Sequence, residues 1–76
     1  MNTMTEIRMA YRQAVIGYER SKRESNFDLA ATFVAEAQIN SQKYIEAGGT
    51  EEELTRIRDA AIKTAASANP NWWWIG

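Results

Sequence analysis

The side chains capable of chemistry in this chain fall into four sets, and each implies something different. Arg8, Arg12, Arg20, Lys22 and Arg23 crowd the first third, and guanidinium forks suit phosphates and carboxylates. Glu51, Glu52 and Glu53 are consecutive carboxylates, the ligand type that hard divalent cations favour. Ser21, Ser25, Ser41 and Ser67 carry hydroxyls. The sequence closes in Asn69-Pro70-Asn71-Trp72-Trp73-Trp74-Ile75-Gly76, where three indoles offer faces for stacking or apolar contact.

Most of this potential has no supporting context. The 76 residues include no histidine and no cysteine, which removes the commonest general base, the thiolate nucleophile and the usual transition-metal ligands. The serines stand in no recognisable activating pattern, and Lys43 and Lys63 fit solvated helix faces. Consecutive helical residues point about 100° apart, so the glutamate run does not converge on a cation; a helix start accounts for it. Gly48-Gly49-Thr50 lacks the preceding strand and the Gly-Lys-Thr pattern of a phosphate loop and reads as a helix stop followed by a helix start. The expectation is no enzyme, no cofactor and no metal.

Two sets remain, the arginines and the tryptophans. Residues 1–24 hold five basic against three acidic side chains, and the remainder four against seven, for a net charge of -1. A helix-turn-helix protein places a basic helix third, whereas here the third begins with three glutamates that repel phosphate. Single-strand binding by Trp stacking beside Arg8, Arg12, Arg20 and Arg23 is the nucleic-acid alternative. Four apolar residues without flanking Lys or Arg make a poor membrane anchor. Trp, Tyr and Arg are the types that most often dominate protein interfaces. The leading expectation is therefore a non-enzymatic protein-binding module, an adaptor, assembly factor or inhibitor, whose contacts are Trp72, Trp73, Trp74, Ile75, Arg8, Arg12, Arg20 and Arg23. Its partner is another protein, with a homodimer as an option. The N-terminus does not read as a signal peptide and no apolar run spans a bilayer, so a cytoplasmic setting is expected, without a membrane.

The elements that position these residues are helical. Thr3 with Glu6, Ser25 with Asp28 and Thr50 with Glu53 repeat one capping signal, a hydroxyl followed three residues later by an acid. Helical periodicity follows each, predicting helices over 4–22, 27–47 and 51–68. The first presents Ile7, Tyr11, Ala14, Val15 and Tyr18, and contains Gly17, where a neighbouring helix could come close. The second presents Phe27, Ala30, Val34, Ala37, Ser41 and Tyr44, widened by Ala31 and Ile45, and stops at Gly48-Gly49. The third presents Leu54, Ile57, Ala61, Ala65 and Ala68, and Asn69-Pro70 closes it.

The fold class expected is all-α, one domain: a three-helix bundle over 1–68, made of helix 1 and an antiparallel hairpin of helices 2 and 3, with a Trp-rich tail over 69–76. Twelve alanines against two leucines make the core light, and a chain this short needs extra buried area from the tail, a second copy or a partner. Alanine stripes on the hairpin leave a groove into which part of the tail is expected to fold, with Trp72 and Trp74 on one side of an extended chain and Trp73 and Ile75 on the other. In size, helical character and missing catalytic groups the chain resembles the small freestanding proteins of phages and mobile elements, some of which block host enzymes or defences. That resemblance is one of type and rests on no motif.

Overall fold

The helices start where first-turn N–H groups find side-chain acceptors, and the first two stop where the backbone turns left-handed. A computed structural model, which describes residues 3–66, contains α1 (Met4–Arg23), α2 (Phe27–Glu46) and α3 (Glu51–Ala66), and no strand among the described residues. The expected last turn of helix 3 and the whole tail, with Trp72, Trp73, Trp74 and Ile75, lie outside the described residues.

At α1 the Thr3 hydroxyl accepts from the Glu6 N–H at 3.2 Å. At α3 the capping is reciprocal: the Thr50 hydroxyl accepts from the Glu53 N–H at 3.2 Å, and Glu53 Oε1 accepts from the Thr50 N–H at 3.1 Å. The middle signal shifts by one residue. Asn26 rather than Ser25 caps α2, its Oδ1 accepting from the Leu29 N–H at 3.3 Å. Ser25 is already committed to closing α1: at φ 59° it donates its N–H to the Lys22 carbonyl at 3.1 Å, while Asn26 N–H reaches the Ser21 carbonyl at 2.8 Å. The end of α2 repeats this closure around Gly48, at φ 102°, with Gly49 N–H on the Tyr44 carbonyl at 2.9 Å. The two glycines serve different needs, since Gly48 supplies left-handed backbone and Gly49 supplies room: a Cβ there would overlap the Tyr44 ring.

Packing departs from the expected hairpin. The connection at 47–50 is short, yet α2 and α3 touch each other little, and α1 packs against both. The reason lies in side-chain size. The bulk of the core comes from α1, as Ile7, Tyr11, Val15 and Ile16, while α2 and α3 bring Tyr44, Leu54 and several alanines, including Ala30, Ala61 and Ala65. Alanine against alanine buries little area, so each helix gains more from the larger side chains of α1. At Gly17, where a neighbouring helix could come close, the space is taken by a side chain: the Phe33 ring of α2 lies 2.5 Å from where a Cβ would be.

The buried face of α2 follows the expected stripe from Ala30 to Tyr44, with Val34, Ala37 and Ser41 half-buried between them, and differs at its edges. Ala30, Ala37 and Tyr44 recur at intervals of seven along the inner side, and Phe33 packs on Gly17. Phe27, expected on the core stripe, and Ala31 and Ile45, expected to widen it, are exposed, Phe27 at 65%. No helix among the described residues is long and apolar enough to cross a membrane.

Candidate binding surfaces

Three features stand out: a polar clasp, an apolar cleft and an apolar ridge. The clasp follows from the α3 cap. Glu53, held by Thr50 through one carboxylate oxygen, presents the other to Arg8 Nη2 at 3.3 Å, and Arg8 Nε donates to the Tyr44 hydroxyl at 3.2 Å. One guanidinium thus ties α1 to α2 and α3. The Arg8 carbon also lies 5.6 Å from the centre of the fully buried Tyr44 ring. The Thr50 hydroxyl, the Tyr44 hydroxyl, the Thr50 N–H and Arg8 together hold the Glu53 carboxyl below the usual carboxylate range. Arg8 is shifted up, chiefly by its bond to Tyr44.

The other expected contact arginines are not gathered into one site. Arg20 lies 3.7 Å from Glu24, and Lys22 sits 2.9 Å from Glu19 and over the Tyr18 ring. Glu19 is the first cause of an upward shift in the Lys22 pKa. Arg12 is half-buried and Arg23 exposed, and neither has an ion-pair partner among the described residues. Ser41 spends its hydroxyl on the Gln38 carbonyl at 2.8 Å. Among the described residues no group of three carboxylate, His or Cys side chains converges as a metal site would require.

The cleft, of about 360 Å³, opens between α2 and α3 because both pack on α1 and barely on each other. Its floor is Tyr11, Val15 and Tyr18 of α1; Val34 and Ala37 form one wall and Ile62 the other. Glu19, Gln38 and Arg58 set polar groups around this apolar lining.

The ridge runs along the outside of α2. Phe27, Ala31, Ala35 and Ile39 follow one another at intervals of four, the row that forms a packing ridge on a helix, and all four are exposed, Ile39 at 54%. Sequence reasoning placed Phe27 and Ala31 in the core and gave no role to Ala35 or Ile39. The signal was present in the interval of four, but it becomes readable only once the inner face is known.

Comparison with protein-family models, with curated proteins and with solved structures finds no match for this chain.

Proposed function

We propose that this protein is a non-enzymatic protein-protein interaction module, acting as an adaptor, assembly factor or inhibitor by occupying a surface of another protein in the cytoplasm. The α2 ridge carries the reading. Single exposed apolar side chains are ordinary on a soluble domain, but an unbroken apolar packing row, with large residues at both ends and alanines between, is the shape that lodges in a helical groove. Arg12 and Arg23, with Trp73 and Ile75 of the tail, are the further contacts proposed; a second copy of the chain is one partner this surface would accept.

The nucleic-acid reading ranks lower because two of the four arginines it would use already face carboxylates: Arg8 with Glu53 and Arg20 with Glu24. The test is capture from extract of the source cells using the intact protein, Ile39→Glu and a control on another exposed face, Lys63→Glu. A partner held by the intact protein and by the control but lost with Ile39→Glu supports the reading. A partner retained by Ile39→Glu, or tight binding to a single-stranded oligonucleotide that weakens steeply with salt, refutes it.

A further inference from the structure

We infer that the cleft between α2 and α3 is the seat of the chain's own C-terminal aromatic segment, with Trp72 and Trp74 turned in against Val15 and Ile62. This docking is independent of the partner reading and is tested on the purified chain alone.

The position of the cleft fits this occupant. Ile62, on the cleft wall, precedes the last described helical residue, Ala66, by about one turn, roughly 6 Å of rise. Beyond it remain residues 67–76, and Trp72 is six residues away, a span of up to about 20 Å when extended. The floor from Tyr18 back to Tyr11 covers seven residues of helix, roughly 10 Å, well within reach. A proline at position 70 disfavours helical geometry at the residue before it, which suits a segment that turns back from the α3 axis.

The chemistry fits as well. In an extended segment Trp72 and Trp74 share a side, and each indole has about 150–250 Å² of surface to bury, which the alanine-rich walls cannot supply for themselves. A buried indole N–H needs an acceptor, and Glu19 and Gln38 provide carboxylate and amide oxygens at the lining. The Arg58 guanidinium on the opposite wall suits the face of an indole. A light core, an apolar recess and a tail of the right length are thereby satisfied together.

The experiment uses full-length chains in which two of the three tryptophans are replaced by phenylalanine, leaving Trp72, Trp73 or Trp74 as sole reporter of emission and iodide quenching. The Trp72 and Trp74 reporters should emit to the blue and quench several-fold less than free N-acetyltryptophanamide, and the Trp73 reporter should quench nearly as free. Ile62→Glu should abolish the protection at unchanged helicity, whereas Ile39→Glu on the outer ridge should leave it intact. In the unaltered chain, nuclear Overhauser contacts from the Trp72 and Trp74 rings to the methyls of Val15 and Ile62 give a second readout that needs no cleft variant. The inference is overturned by water-like quenching of all three reporters, by protection that survives Ile62→Glu or yields to Ile39→Glu, by protection lost on dilution as a swapped dimer dissociates, or by absence of the Overhauser contacts.

Discussion

Replacing Gly17 by alanine sets two opposing effects against each other, and the structure says which prevails. In an isolated helix the change adds about 1 kcal/mol of stability, because alanine loses less backbone freedom than glycine. Here the new Cβ would lie 2.5 Å from Cε1 and Cζ of Phe33 and 2.7 Å from its Cε2, more than about 1 Å inside ordinary carbon contact. The ring must swing out or the helices must part, and overpacking of this kind costs about 1–3 kcal/mol. Gly17→Ala alone should therefore be neutral to destabilising, by up to about 2 kcal/mol. In a Phe33→Leu background, with the ring gone, the same change should stabilise by up to about 1 kcal/mol. The assay is a double-mutant cycle from urea unfolding followed by circular dichroism. The expected coupling is about 1–3 kcal/mol with a reversal of sign. Equal effects of Gly17→Ala in both backgrounds, within about 0.5 kcal/mol, would refute the packing argument.

Three further expectations follow from the caps. Ser25→Gly should raise stability by about 0.5–1 kcal/mol, as relief of a left-handed cost of about 1–2 kcal/mol is offset by added freedom of the unfolded chain; an unchanged or lower urea midpoint would contradict it. Gly49→Ala should destabilise by about 2–3 kcal/mol, because its Cβ meets the ring of Tyr44, which is fully buried and bonded to Arg8; a Tm within 2–3 °C, roughly the error of such scans, would contradict it. Because Glu53 is held below the ordinary carboxylate value of about 4.3, its contribution is complete above that pH and is lost as pH falls through the depressed value. The stability gap between the native protein and Glu53→Gln, measured from about pH 6 down to pH 3, should therefore shrink in acid, and a gap independent of pH would exclude the clasp as described.

The number of helices and most of their ends were legible in the sequence because the groups that decide them lie within a few residues of one another. Thr3 meets Glu6, Thr50 meets Glu53, and Gly48 closes α2 on Ile45, all inside a single turn. The one cap read wrongly shows the limit of local reading: Ser25 and Asn26 can both accept from a first-turn N–H, and Ser25 is removed from the contest by the closure of the preceding helix. The Gly17 notch was also legible, though its occupant, Phe33, was not.

What the tertiary structure decided is the set of questions with more than one local answer. α2 carries apolar side chains around much of its circumference, so its period alone does not say whether Phe27 or Phe33 turns inward; the position of Gly17 on α1 does. Arg8 reads in sequence as one member of a basic row, yet its partners Tyr44 and Glu53 lie 36 and 45 residues away, and only the fold brings them together. The choice of α1 as the helix on which the others pack follows from the distribution of bulk across all three elements. That choice opens the cleft and leaves the outer row of α2 in solvent, because a chain rich in alanine cannot cover every apolar face with three helices.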